Sequence, residues 1–408
     1  MSGAAATDVA AARLEQLLAK RTDANRRYFA AESERIARLC HRMAERFARG
    51  GRLVALGSSP AARSDARHVA VEFVHPVIVG KRALPAIGLA GEGGPVVPQA
   101  KLVLEPDDIA ILFESDAGES REAASLARAR GCLTIAFAPV GAEWELDPPS
   151  SDPFVRQELV ETLYHVLWEL VHVFFEHRGL LEGRATRRLH DSGASSFLYP
   201  FLGEQEHDLD AVVADVRSSV LDKADEVGVL RERTLREGTG GLLGAAAALR
   251  VSLDDGGKLL AFGNGGSATD AMDAVADFRH PPAGWPARRA LDLTEDPAIL
   301  TAIANDIGPE ALFARQIIAY GRPGDALLAF STSGGSGNVI AALGEARRRG
   351  LVTVAMVGYD GGRVAAERLA DHVVVVPSEH VPRIQEAQAS AYHVLRELVE
   401  LAPAEVAP

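Results

Sequence analysis

Apolar positions along the chain recur at two spacings. Over residues 9–49 they return every three or four positions (Leu14, Leu17, Leu18, then Ile36, Leu39, Met43 and Phe47) and stop at Gly50-Gly51. That is the pattern of an amphipathic helix closed by glycine. Short uninterrupted apolar runs follow: RLVALGSS at 52–59, PAIGLA at 85–90, DIAILFES at 108–115 and CLTIAFAP at 132–139. Such runs, bounded by turn residues, predict strands buried on both faces. A helical stretch follows the first run, and the helix ESREAASLARARG precedes the last. A longer apolar helix is predicted over 153–177, PFVRQELVETLYHVLWELVHVFFEH.

The same order then returns. Helical segments over 208–253 lead to KLLAFGNGG (258–266), a helix and RRALDL (288–293). PGDALLAFSTSGGS (323–336), the helix NVIAALGEARRRG, LVTVAMVG (351–358), DHVVVVPS (371–378) and a closing helix from about 382 complete it. Local matches run in register with this order. PDDIAILF parallels PGDALLAF, ARARGCLTIAFA parallels ARRRGLVTVAMV, and RQELVETLYHVLWELV parallels IQEAQASAYHVLRELV. Three co-linear matches mark an internal duplication. Strands alternating with helices predict α/β domains, each with a parallel sheet covered on both faces. The expected division is a first domain over 1–177, a basic, Gly/Ser-containing connector over 178–206 and a second domain over 207–408.

Composition narrows the partners. The 408 residues are 47% hydrophobic and 24% charged, a globular balance with length for two domains. A formal charge of −13 argues against a nucleic-acid backbone as partner. Cys40 and Cys132 stand far apart without CxxC spacing, so neither a structural disulfide nor a zinc knuckle is expected. The opening residues lack the apolar core of a secretory signal, and no apolar run approaches membrane-spanning length. The expectation is a cytoplasmic protein that meets neither membrane nor nucleic acid.

Two strand-to-helix turns carry candidate chemistry. Gly263, Asn264, Gly265, Gly266 and Ser267 separate an apolar strand from a helix, and Ser331, Thr332, Ser333 and Ser336 do the same after a later strand. Glycines permit close backbone approach, helix starts aim free N–H groups outward, and hydroxyls add donors. Ser267 could also serve as the helix N-cap. Neither turn fits G-x-x-x-x-G-K-[ST] or G-x-G-x-x-G, so a simple phosphate ester is a better candidate than a nucleotide, and no nucleotide cofactor is expected.

GNGGSATDAM, LTAIANDIGPEALFARQI (300–318), STSGGSGNVI, GYDGGRVA (358–365) and RIQEAQASAYH (383–393) together resemble the sugar isomerase (SIS) domain, in its sedoheptulose 7-phosphate (phosphoheptose) isomerase branch. The first half resembles the same domain in degenerate form. The resemblance implies two flavodoxin-like αβα domains in tandem and phosphate held by Ser267, Ser331, Thr332, Ser333 and Ser336. Asn305 and Asp306 are candidates for lining the sugar site, as is GYDGG, though turn and cap roles explain them equally well. It also implies a homodimer imitating the family's tetramer, with a seven-carbon phosphosugar as substrate.

In that branch a histidine and a glutamate follow the phosphate turn, and a late helix carries a glutamine with a histidine eight residues on. The four can hold zinc in some members, and the glutamate and late histidine are the acid/base pair. The second half has Gln385 and His393 but Asp273 and Asp277 in the earlier positions; the first half has His68, Glu72, Gln157 and His165. The resemblance therefore implies Asp277 with His393, or Glu72 with His165, as catalytic pairs. It implies a divalent metal, zinc foremost, held by Asp273, Asp277, Gln385 and His393 or by the first-half four; the oxygen and nitrogen ligands by themselves suit zinc and manganese alike. A composite site pairing the second-half turns with His68 and Glu72 is an alternative. The first half writes GSSPAARS and ESDAGES where the phosphate turns would fall. The leading expectation is an aldose–ketose isomerase working through an enediol. A non-catalytic phosphosugar sensor or protein-binding adaptor is the other.

Overall fold

The computed structural model describes residues 3–77, 81–91, 94–113, 117–176 and 208–401. The expected connector at 178–206 falls outside them, as does Glu114–Asp116 of ESDAGES. The chain divides into two compact units, one of residues 1–23, 153–158 and 226–408, the other of 24–152 and 159–225. Each holds a five-stranded parallel sheet.

In the unit rich in first-half residues, β1 (Leu53–Leu56), β2 (Ala86–Leu89), β3 (Ile109–Leu112), β4 (Leu133–Ala136) and β5 (Trp144–Glu145) lie in the order 2-1-3-4-5. All pairings are parallel. Val54, Leu56, Ala110, Leu112 and Ala136 turn one face of this sheet against Val97, Ala100, Ala123, Ala124 and Ala127, from helices Val96–Val103 and Ala117–Ala129.

The other unit repeats the order. β6 (Leu259–Phe262), β7 (Ala290–Asp292), β8 (Ala326–Ser331), β9 (Val352–Gly358) and β10 (His372–Val376) run 10-9-8-6-7, which read backwards is again 2-1-3-4-5. Successive side chains of a strand point to opposite faces. Leu259, Ala261, Ala326, Leu328 and Phe330 therefore pack on one side, against Leu14, Leu17 and Leu18 and the helices Thr239–Asp254, Gly266–Arg279 and Val381–Leu401. Leu260, Phe262, Leu327 and Ala329 pack on the other, against Phe313, Ile317, Val339 and Leu343. This doubly covered sheet has the flavodoxin-type order, whose ligand crevice lies beyond the carboxyl ends of the strands at the β6/β8 crossover.

Among the described residues no helix is long and apolar enough to cross a membrane. Phe262, fully buried at the end of β6 and stacked on Phe313 at 4.4 Å, ties the core to the turn that follows. Phe262→Ala is expected to lower the unfolding free energy by about 3–5 kcal/mol, measured from denaturant unfolding curves. A loss below about 1 kcal/mol would place the anchor elsewhere.

Candidate active site

The turn after β6 is shaped by backbone contact. A Cβ on Gly263 would lie 2.2 Å from the Ser267 carbonyl oxygen, so only glycine fits. Gly265, at φ 59° and ψ −127°, is the N-cap of helix Gly266–Arg279 and offers no side chain to its first N–H groups. Ser267 is thus not the cap: it lies in the first turn, buried. The turn after β8 is as constrained. Ser331 Oγ accepts from the Gly334 N–H at 3.1 Å, and Ser333 Oγ from the Gly335 N–H at 3.2 Å. Gly334 (φ 59°) would place a Cβ 2.2 Å from the Gly361 carbonyl oxygen, and Gly362 one 2.3 Å from that of Ser333. GYDGG therefore supports the second turn by close packing.

β6 and β8 are neighbours, so their turns open side by side. Asn264 and Asn338 join them by reciprocal amide hydrogen bonds, both 3.0 Å. Ser336 caps helix Gly337–Arg348 without a side-chain hydrogen bond, so it too presents an uncapped start. Two uncapped helix starts beside hydroxyls suit an anion. Asn305 and Asp306 are exposed, with the Asn305 amide donating to Asp306 Oδ1 at 2.7 Å.

The helix that begins at the first turn also carries Asp273 and Asp277, one turn apart on one face, both buried. Fully buried His393, on helix Val381–Leu401, meets them: Nε2 lies 3.3 Å from Asp273 Oδ2 and 3.5 Å from Asp277 Oδ2. Asp273 is held by Tyr392 Oη at 2.5 Å and Gln157 Nε2 at 2.6 Å, both donating. Asp277 Oδ2 and His393 Nε2, by contrast, lack a well-formed hydrogen bond. Behind the ring, Nδ1 faces Glu158 Oε1 at 2.9 Å, and Arg21 Nε donates to the same oxygen at 2.9 Å. Phe154 stacks on the ring at 4.9 Å.

Charges in this cluster pull against burial. Burial opposes a charged His393, but Asp273, Glu158 and Asp277 outweigh it and raise its pKa well above the ordinary imidazole value. Burial likewise disfavours the Glu158 carboxylate, but Arg21 and then His393 overcome it and depress that pKa. Asp277 goes the other way: burial, then the Asp273 charge, pushes its carboxyl well above the usual range.

Within the other unit His68, Glu72 and His165 converge. His68 Nε2 lies 3.4 Å from His165 Nε2 and 3.8 Å from Glu72 Oε1, and all three residues are buried. Tyr164 Oη and His68 Nδ1 are 2.9 Å apart. Burial, then the neighbouring His165, lowers the His68 pKa well below the ordinary value. Gln157, expected beside these three, instead serves Asp273 in the unit that contains residues 153–158. The spoiled first-half turn is occupied from within: Glu119 accepts from Ser58 Oγ at 3.4 Å and from the Val96 N–H at 3.0 Å.

Both clusters offer metal-ligand chemistry. Ligand atoms of Asp273, Asp277 and His393 lie within 4.8 Å of one another, as do those of His68, Glu72 and His165. The two buried atoms of the first set without well-formed hydrogen bonds, and the low basicity of His68 in the second, fit a cation. Gln385 is buried on the His393 helix, about two turns before it.

Sequence reading missed Glu158, Arg21 and Tyr392. A signal was present for two of them: QE recurs at 157–158 and 385–386, and YH at 164–165 and 392–393. The repeated tyrosines hydrogen-bond to His68 and Asp273, the positions that the repeat aligns. For the first turn, Gly263→Ala is expected to weaken binding of a simple sugar phosphate by about tenfold or more, roughly 1.4 kcal/mol. Calorimetric titration of folded variant and parent measures it, and equal affinity would remove the turn from the site.

The chain is also similar to known proteins. The sequence profile of the SIS domain matches residues 224–358. The phosphoheptose isomerase of Thermodesulfovibrio yellowstonii is 43% identical over 184 residues, 44% of this chain and 89% of that protein. Its counterpart in Roseiflexus is 42% identical over 188 residues, 44% of this chain and 91% of that protein. Among solved structures, the C-terminal domain of glucosamine-fructose-6-phosphate aminotransferase from Francisella tularensis covers 95% of this chain and 95% of its own, with a TM-score of 0.58 at 9% identity. Tagatose-6-phosphate ketose/aldose isomerase from Escherichia coli covers 97% and 96%, with a TM-score of 0.53 at 13% identity. At those identities the likeness is one of fold.

Proposed function

The chain belongs to the SIS-domain family, with the phosphoheptose isomerases, and from that premise we propose that it interconverts ketose and aldose phosphosugars, with sedoheptulose 7-phosphate as substrate. The phosphate is held by the turns 263–267 and 331–336 and by the helix starts behind them. Asp277, as carboxylate, takes a proton from the carbon next to the carbonyl and returns it to the neighbouring carbon. His393 gives a proton to the carbonyl oxygen and takes one from the adjacent hydroxyl, passing through an enediol. A carboxylate whose pKa is raised by burial is a stronger base at the moment of abstraction. The observation that carries the reading is the approach of Asp277 Oδ2 to His393 Nε2 at 3.5 Å, on a helix that starts at the phosphate turn.

Purified protein with sedoheptulose 7-phosphate and added divalent metal is expected to yield an aldose product. Asp277→Asn is expected to lower kcat by about 10²- to 10⁴-fold while sugar-phosphate affinity holds. Saturable binding without conversion, across several phosphosugars, would assign the sensor reading instead.

For the metal we propose zinc, held by Asp273, Asp277 and His393, with Gln385 on the same helix as His393. His68, Glu72 and His165 form a second set, and two imidazoles with one carboxylate suit zinc. Bound there, the ion would supply Lewis-acid stabilisation of negative charge on oxygen. Elemental analysis after dialysis is expected to show that Asp273→Asn/Asp277→Asn and His68→Ala/His165→Ala each lose zinc relative to the parent. Unchanged content in both would refute the assignment.

A further inference from the structure

Glu158 belongs to no expected site, yet its carboxylate is among the most thoroughly engaged in the unit. Oε1 accepts from Arg21 Nε at 2.9 Å and faces His393 Nδ1 at 2.9 Å, while Oε2 accepts from Ser390 Oγ at 2.6 Å. Arg21 in turn donates to Glu397 Oε1 at 2.9 Å and to the Leu17 carbonyl at 3.3 Å, so it is fixed from behind. Every one of these groups is buried.

We infer that Glu158 is a positioning residue for His393: it keeps a proton on Nδ1 and so presents Nε2 to Asp273, Asp277 and the substrate. The reasoning is one of donors and acceptors. An ionised carboxylate only accepts, so the contact at Nδ1 requires the ring to carry its hydrogen there. Nε2 is then the nitrogen left to face the site, and it is the one that points to both aspartates. Phe154, stacked on the imidazole face with an interplanar angle of 26°, limits the ring's tilt. Arg21 shares Oε1 with the ring and Ser390 holds Oε2, so both carboxylate oxygens are engaged. A buried ion pair retained only for stability would need none of this alignment with the imidazole.

The inference rests on the acid/base role proposed for His393, and the experiment separates the two. In protein labelled with ¹⁵N-histidine, the His393 Nδ1–H is expected as a downfield, exchange-protected proton resonance. Glu158→Gln is expected to shift it upfield and to lower kcat by about 10²- to 10⁴-fold, with KM within about threefold. Glu158→Asp, which keeps the charge, is expected to restore the resonance and part of kcat. A parent spectrum with no proton on Nδ1 overturns the inference, whether or not any variant folds. So does a folded Glu158→Gln protein that keeps both the resonance and kcat. If the parent protein isomerises no phosphosugar, the catalytic reading fails, while the Nδ1–H resonance and its response to Glu158→Gln still decide what Glu158 does.

Discussion

A carboxylate removed from water must be matched by charge and hydrogen bonds, because the effective penalty for an unpaired buried ion is several kcal/mol. Glu158 meets that demand through Arg21, Ser390 and His393, and the rest of the site follows. Residues 153–158 and 1–23 are needed in the unit that holds the second-half sheet, since they bring Glu158 and Arg21. Gln157 and Phe154 arrive with them, one steadying Asp273 and the other covering the His393 ring. Two separate stretches of chain thus complete this site, the earlier of them anchored also by Leu14, Leu17 and Leu18 in the apolar core.

The sheets were legible in the sequence because the central strands are buried on both faces and so read as unbroken apolar runs. β1, β3, β4, β6, β8 and β9 all answer to such runs. β5 has only two residues, Trp144 and Glu145, too few to leave a pattern. The predicted helical segments over 208–253 are two helices, Leu209–Glu237 and Thr239–Asp254, parted at Gly238, where a Cβ would lie 2.6 Å from the Thr234 carbonyl oxygen.

The anion turns were legible for a local reason: glycines where backbone passes backbone, hydroxyls beside them, and a helix after. The charged set was only half legible. Asp273 and Asp277 sit at a spacing that a helix translates directly into a shared face, whereas His393 comes from another helix. Arg21 meets Glu158 across 137 residues and Glu397 across 376, and no periodicity encodes a pairing of that range. Duplication was the one route to Glu158, since its dipeptide appears in both halves.

The first-half turn has a further consequence. Glu119, drawn against Ser58 and the Val96 amide, supplies from the chain itself the negative charge that such a turn attracts. A duplicated fold would ordinarily give two receptors per polypeptide. Here the first-half turn already meets a carboxylate of its own chain.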